Sequence, residues 1–284
     1  MLANFTSFVY NYDMTILRFQ KFILNWYKTN RRELPWRNTF DPYKILVSEI
    51  MLQQTQISRV LPKYKEFLKA FPTLSILARA RDKRLLKVWQ GLGYWRRAKY
   101  LKETAKIVVK KNTIFSKPEY LEKLPGIGHY TARAIACFAF QNTEAFLDTN
   151  IRRVYLHFFF PKRQNVADSE ILPIAQKAVW QKNSREWHYA LFDYGAMVLK
   201  DKKINKQSKH YRKQSKFEGS FRSFRTKVVK FLLLQPKNKA TQKTIESFLR
   251  KELARQKSRH AVSEIVGSLL KDNLIKKSST SYSL

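Results

Sequence analysis

An all-helical fold is what this sequence predicts, on two observations. Apolar residues recur at three- and four-residue spacings along most of the chain, the periodicity of a buried helix face. Only seven glycines occur in 284 residues, so strands are expected as a minor feature at most. Ile16, Phe19, Ile23 and Trp26 form the stripe of a first helix, closed by Leu34-Pro35-Trp36. Asp41 then Pro42 supplies a cap and a first-turn proline for a second helix over Tyr43 to Gln56, because an aspartate accepts from early amides and proline suits the first turn. Its apolar rows are Leu46 with Ile50 and Val47 with Met51, with Glu49 between them one turn before Gln53. Further helices are predicted over Pro62 to Phe71, Arg84 to Gln90, Arg96 to Lys111, Thr131 to Phe140 and Asn150 to Phe160. From Lys200 to Phe217 the composition turns to Lys, Arg, Gln and Ser, which reads as a linker or loop. Phe221, Phe224, Val228 and Phe231, then Ile245, Phe248 and Leu249, then Val262, Ile265 and Leu269 mark three more helices. With a short hairpin or strand over Asn273 to Leu284 they suggest a small winged-helix module.

Charge narrows the class of partner. Fifty-six Lys and Arg stand against 21 Asp and Glu, a formal net charge of +35. Spread along the chain with Trp, Tyr and Phe between the charges, that excess favours a polyanion, and nucleic acid is the commonest. The single cysteine, Cys137, lies in the apolar run Ala134 to Phe140, so a buried thiol is expected and no intrachain disulfide can form. Met1 to Tyr12 lacks a basic n-region and a cleavage site, and no apolar run reaches membrane-spanning length. An intracellular protein is expected, cytoplasmic or, in a prokaryote, nucleoid-associated.

Two segments carry candidate chemistry. Leu124-Pro125-Gly126-Ile127-Gly128-His129-Tyr130-Thr131 reads as a glycine-pinched turn between helices, and Asp148 follows twenty residues after Gly128. Such a turn presents backbone N–H groups to a phosphate. Asp148 can equally be a plain cap for the helix that begins at Asn150. Glu49 sits where an apolar face meets a polar one, and an ordinary solvated glutamate is the competing reading. If buried, its carboxyl would stay protonated near neutral pH and could act as a general acid. Two carboxyls of unlike environment, one protonated and one ionised, are what glycosidic cleavage through an oxocarbenium-like state requires.

Leu34-Pro35-Trp36-Arg37, Ser48-Glu49-Ile50-Met51-Leu52-Gln53-Gln54-Thr55-Gln56, Gly91-Leu92-Gly93-Tyr94, Leu124 to Thr131 and Leu147-Asp148-Thr149-Asn150-Ile151-Arg152-Arg153-Val154 occur in that order. So ordered, they closely resemble MutY-type adenine DNA glycosylases of the helix-hairpin-helix superfamily. The resemblance runs from about residue 14 to Met197, where Asp193-Tyr194-Gly195-Ala196-Met197 looks like a further motif. It implies that Glu49 protonates the adenine and later helps activate water, and that Asp148 stabilises the cationic sugar. Asn150 is implied as polar support for that carboxylate pair. Tyr130 stands where lyase relatives such as endonuclease III carry a Schiff-base lysine, which implies a monofunctional enzyme. Arg37 is implied to contact DNA and to help position Glu49, and Gln53, Gln54 and Tyr94 to probe the stack around a flipped base. Gly126, Gly128, His129 and Thr131 are the implied anchors for phosphate.

Two departures accompany the resemblance. The family's four cluster cysteines, spaced C-x6-C-x2-C-x5-C, correspond here to Leu199, Lys206, Lys209 and Ser215. An iron–sulfur cluster is therefore expected to be absent, since its iron needs thiolates, and no other metal site or cofactor is predicted. Lys206 and Lys209 are expected to bind DNA phosphate instead. Residues 217–284 are also too few and too helical for the family's Nudix-like domain.

The expected organisation is a helix-hairpin-helix catalytic domain over 14–199, a basic loop over 200–216 and a small DNA-binding module over 217–284. The expected function is excision of adenine mispaired with guanine or 8-oxoguanine from double-stranded DNA, by a monomer. A thymine or uracil glycosylase acting opposite guanine, and a non-catalytic DNA-binding protein on the same scaffold, are the alternatives.

Overall fold

The computed structural model describes residues 14–111, 116–201, 203–213 and 215–284. The Met1–Tyr12 segment, where no signal peptide was read, lies outside them. The helices up to the hairpin are α1 (Ile16–Asn30), α2 (Pro42–Leu52), α3 (Ile57–Ala70), α4 (Leu74–Ala78), α5 (Asp82–Trp89), α6 (Arg96–Lys111) and α7 (Pro118–Leu121). After it come α8 (His129–Phe140), α9 (Thr149–Phe159), α10 (Asp168–Ala178) and α11 (Ser184–Met197). The C-terminal part continues as α12 (Phe221–Leu234), β1 (Lys239–Thr241), α13 (Gln242–Arg255), α14 (Val262–Lys271), β2 (Lys276–Lys277) and β3 (Ser281–Ser283). Among the described residues no helix is long and apolar enough to cross a membrane.

Several boundaries differ from the sequence expectation for identifiable reasons. In α1 the buried stripe is Phe19, Ile23 and Tyr27, while Trp26 sets its ring edge on Tyr194 at 5.1 Å. Helix α3 starts at Ile57 and runs through Pro62, because Val60, Tyr64 and Phe67 bury a face on both sides of the proline. Burial here outweighs the hydrogen bond that proline removes. Helix α11 was not foreseen at all. It buries Trp187, Tyr189, Leu191 and Tyr194 on several sides, and a helix buried nearly all round loses the one-sided periodicity that reveals it. Helix α10 was missed too, with Pro173 inside eleven residues.

Packing groups the described residues into two compact units: those within 14–45, 116–122 and 127–213 in one, and those within 46–111, 123–126 and 215–284 in the other. This division cuts through the 14–199 segment expected from sequence. The first unit is built round Phe19, whose ring meets Tyr155 at 5.5 Å, Phe158 at 5.1 Å and Trp187 at 5.5 Å. Asp193, fully buried, accepts from Arg37 Nη1 and Nη2 at 2.7 and 2.8 Å and from Arg32 Nε at 2.6 Å. Pro35, Trp36 and Arg37 form a 3-10 turn, and the Arg37 guanidinium also lies 4.5 Å from the Tyr189 ring centre.

In the second unit, Phe67 packs against Phe71 and Trp89. The C-terminal residues have winged-helix connectivity: α12, β1, α13, α14, then the β2–β3 hairpin, in a sheet of order β1-β3-β2. Ala240 pairs with Tyr282, and Lys277 pairs with the same residue from the other side. Phe224, Val228, Leu232, Ile245, Leu249, Ile265 and Leu269 fill its core with no exposure. Asp272, at the end of α14, accepts from Arg225 of α12 and from Arg96 of α6, the latter at 3.0 Å.

Burial works to raise the Asp193 carboxyl, but hydrogen bonds and charge from Arg37, then Arg32, outweigh it and hold the group below the usual range. A carboxylate with a depressed folded pKa stabilises the fold above its unfolded value of about 4 and loses that contribution as pH falls through the folded value. Asp193→Asn should cost about 3–5 kcal/mol at neutral pH, the loss expected when one partner of a buried ion pair is removed. Urea unfolding at pH 7 and pH 3 checks both points: the difference between the two proteins should shrink at the lower pH.

Candidate active site

Helix α2 begins as the sequence foretold, with Asp41 Oδ1 accepting from the Tyr43 amide at 2.9 Å. From Ile45 to Met51 every residue is buried, and Glu49 is 5 % exposed. The solvated-edge reading of Glu49 is thereby set aside. The helix ends at Leu52 rather than Gln56, and the chain turns through Gln54 at φ 55°. What ends it is a buried arginine. Arg97 Nη1 donates to the carbonyls of Ile50, Met51 and Gln53 at 2.7, 2.8 and 2.6 Å. Its Nη2 donates to Thr55 Oγ1, Leu92 O and Gly93 O. Burial pulls this guanidinium down to about 10, and the carbonyl dipoles supply its compensation.

The same arginine thus joins the end of α2 to the Gly91–Tyr94 turn. Gly91 and Gly93 have φ of 101° and 71°, and Tyr94 follows at 45°. Trp89 Nε1 donates to Gly93 O at 3.0 Å and closes the loop from below. Sequence reading did not single out Arg97. Its signal was there, an arginine one helical turn before Leu101 on the face that continues to Ala105 and Val108, all buried.

In the hairpin, Gly126 has φ 76°, and a Cβ there would lie 2.8 Å from Tyr100. Thr104 Oγ1 donates to Pro125 O at 3.1 Å, and Gln53 Nε2 donates to Gly126 O at 3.2 Å. Gln53 is thus tied to the hairpin, while Gln54 is exposed. Gly128 precedes α8 with ordinary extended backbone, and a Cβ there would meet nothing within 4 Å. His129 is exposed, with Nδ1 3.1 Å from Glu122 Oε1. Tyr130 is half-buried with its ring edge on Phe146. Thr131 is 4 % exposed, so its side chain belongs to the interior and leaves the phosphate-facing set. Arg37 leaves the DNA-contact set as well, since its side chain is 8 % exposed and engaged by Asp193.

Asp148 caps α9. Its Oδ1 accepts from the amides of Asn150 and Ile151 at 2.9 and 2.7 Å, and its Oδ2 from Asn150 Nδ2 at 3.0 Å. Burial raises its carboxyl above the usual range, and these donors, with the charge of Arg152, hold that rise back. The capping role and the proposed chemical role are compatible, because one oxygen takes the amides and the other the side-chain amide. The Asp193–Met197 motif also has a local reason. A Cβ on Gly195 would lie 2.5 Å from Asn150 O, so only glycine lets α11 lie against the first turn of α9.

The cluster positions offer no ligand set. Leu199 is buried, Lys206 and Lys209 are exposed, and Ser215 is a serine. Cys137 is buried on α8 with Sγ 3.5 Å from His188 Nδ1. Among the described residues no group of three or more His, Cys, Asp or Glu side chains could hold a metal. The donor chemistry does not fit an iron–sulfur cluster. The loop is fastened by protein contacts instead: Arg153 donates to Asn205 Oδ1 at 2.9 Å, to Gly195 O and to Leu199 O. Val166 exchanges backbone hydrogen bonds with Gln207 and Lys209 at 2.8 and 2.9 Å.

Residues 47–179 match the HhH-GPD superfamily base excision DNA repair protein model. The chain is 40 % identical over 197 residues to the adenine DNA glycosylase of Buchnera aphidicola subsp. Baizongia pistaciae, covering 65 % of this chain and 54 % of that relative. It is 46 % identical over 135 residues to the adenine DNA glycosylase of Mycolicibacterium smegmatis, 46 % of each chain. This chain spans about half the length of these curated relatives. A solved thermostable thymine-DNA glycosylase superposes with a TM-score of 0.60 at 28 % identity, covering 66 % of this chain and 89 % of the other. The MutY-type resemblance read from the motifs is borne out by the relatives, and the all-helical HhH-GPD fold by the superposition.

The two hairpin glycines should respond differently to substitution. Gly126→Ala forces left-handed backbone on a side chain, costing about 1–2 kcal/mol before Tyr100 is displaced. Gly128→Ala should leave stability within about 0.5 kcal/mol, as substitutions away from tight contacts do. Thermal unfolding of both variants gives the comparison.

Proposed function

We propose that this chain is a monofunctional, monomeric base-excision DNA glycosylase that hydrolyses the N-glycosidic bond of adenine mispaired with guanine or 8-oxoguanine in double-stranded DNA. The observation that carries the proposal is the buried Glu49, on a helix whose end is held in place by Arg97. A carboxyl drawn out of water favours its protonated form, and a protonated carboxyl is what general acid chemistry requires. Glu49 gives its proton to the adenine as the bond to C1′ breaks, so the base leaves neutral. Asp148, ionised, stabilises the cationic sugar. Glu49, now a carboxylate, takes a proton from the water that adds at C1′.

Tyr130 stands where an amine nucleophile would be needed for lyase chemistry, which supports plain hydrolysis. The exposed start of α8 at Gly128 and His129, with Lys206 and Lys209 on the surface, suits phosphate. Gln54, on its left-handed turn, and Tyr94 are placed on exposed or half-exposed turns from which a side chain can enter an opened stack. A cluster-free enzyme of this kind needs no cofactor, and a cytoplasmic or nucleoid setting suits its substrate.

Labelled duplexes carrying A:G, A:8-oxoguanine, T:G and U:G, incubated with the protein and treated with alkali, test the substrate directly. Cleavage at the adenine of the first two supports the proposal, and cleavage at T or U instead replaces it with the thymine or uracil reading. Glu49→Gln should remove base release, a loss of at least about 100-fold for a general acid, while duplex affinity stays near the parent value. Retained turnover would refute the acid role.

The pH dependence has a definite sign. Asp148 must be ionised to act, and burial raises its carboxyl, so activity should fall on the acid side above the pH expected for a free aspartate, about 4. Asn150→Ala removes a donor that favours the carboxylate. Its acid limb should move to still higher pH, as single-turnover rates from pH 4 to 8 would show.

A further inference from the structure

The first helix of the winged-helix module carries an arginine that reaches the Gly91–Tyr94 turn. Arg222 Nη1 donates to Tyr94 Oη at 2.9 Å, and its Cζ lies 6.0 Å from the Tyr94 ring centre. Nη2 donates to Ser215 O, at the entry to the module. The remaining nitrogen, Nε, is buried with no hydrogen-bond partner among the described residues. Arg97 stands 5.4 Å from the same ring, so two guanidiniums flank one half-exposed phenol.

Two unfavourable features meet at this contact. Tyr94 holds a left-handed φ of 45°, a conformation that disfavours bulky side chains. The Arg222 Nε–H has lost its water without gaining a partner, which also works against stability. Strain kept in a folded chain points to a use for the strained geometry. The module does not need this contact to stay docked, because Asp272 already links α14 to both α6 through Arg96 and α12 through Arg225. What the Arg222 contact adds is a fixed direction for the Tyr94 hydroxyl and ring.

We propose that Arg222 is a positioning residue for Tyr94, so that the C-terminal module sets the aromatic side chain that enters the opened duplex. This rests on the glycosylase reading above. Tyr94 closes a turn whose two glycines, Gly91 and Gly93, hold left-handed backbone. Held by a charged donor, it meets DNA already oriented, and less ordering remains to be done on binding.

The test uses the full chain with Arg222→Met, Arg222→Lys, Tyr94→Phe and the Arg222→Met/Tyr94→Phe double variant. The readouts are duplex affinity, the single-turnover rate of adenine release from A:G duplex, and the fluorescence of 2-aminopurine at the target position, which rises on unstacking. Arg222→Met and Tyr94→Phe should each lower the unstacking signal and the rate by about tenfold, the loss of one charge-assisted hydrogen bond, with affinity changed by no more than about threefold. The double variant should be no worse than either single one, since both remove the same contact, and Arg222→Lys should recover part of the loss.

A parent-like Arg222→Met, or losses that add in the double variant, would overturn the proposal. If Arg222→Met unfolds, Tyr94→Phe carries the test, because it keeps the ring and removes only the hydroxyl. A parent chain that releases no adenine defeats the glycosylase reading, and the 2-aminopurine signal then still decides whether Arg222 orients Tyr94.

Discussion

One buried guanidinium, that of Arg97, is the interaction on which the second unit depends. It gathers three carbonyls from the end of α2 and two from the Gly91–Tyr94 turn. A helix end buried without partners for its last carbonyls is unstable, and α2 has no exposed final turn through which water could serve them. A cation answers this need doubly, by donating hydrogen bonds and by lying at the negative end of the helix dipole. Because Arg97 has two forks, ending α2 also sets where the next turn lies. Glu49 and Tyr94 are therefore placed by the same side chain although 45 residues separate them in sequence.

The first unit solves a related problem with a carboxylate. Asp193 neutralises Arg37 and Arg32 in the interior, while two residues on, Gly195 brings α11 against the Asn150 carbonyl. The capped start of α9 is thus backed by a helix that cannot move closer, and Asp148 inherits that rigidity. Arg153, one turn into α9, extends the arrangement to the 203–213 loop through Asn205 and the Leu199 carbonyl. A segment whose composition reads as a linker is in fact pinned by side-chain and backbone hydrogen bonds. Its lysines remain on the surface because the pinning uses Asn205, Gln207 and Ser208 rather than charge.

Much of the architecture was legible where local chemistry decides it. The Asp41 cap, the Asp148 cap, the Gly126 turn and the helical stripes of α12, α13 and α14 each follow from a few neighbouring residues. The winged-helix connectivity was legible for the same reason, as three amphipathic helices and a terminal hairpin. Helices α10 and α11 were not, since one is interrupted by proline and the other is buried nearly all round. Arg37 and Thr131 were misplaced because a motif shows that a residue type recurs at a position without showing which way its side chain faces. Both turned inward.

The order of the motifs, the single cysteine, the excess of basic residues and the two candidate carboxyls were determined by the sequence alone. These are properties of residue type and spacing, which no packing can change. Only the tertiary structure decided that Glu49 is buried, that Arg97 ends its helix, that Asp193 consumes Arg37, and that Arg222 of the C-terminal module holds Tyr94. The physical reason is common to all four: burial and hydrogen bonding join residues far apart in sequence, and a charge's role depends on which partner the fold brings within reach.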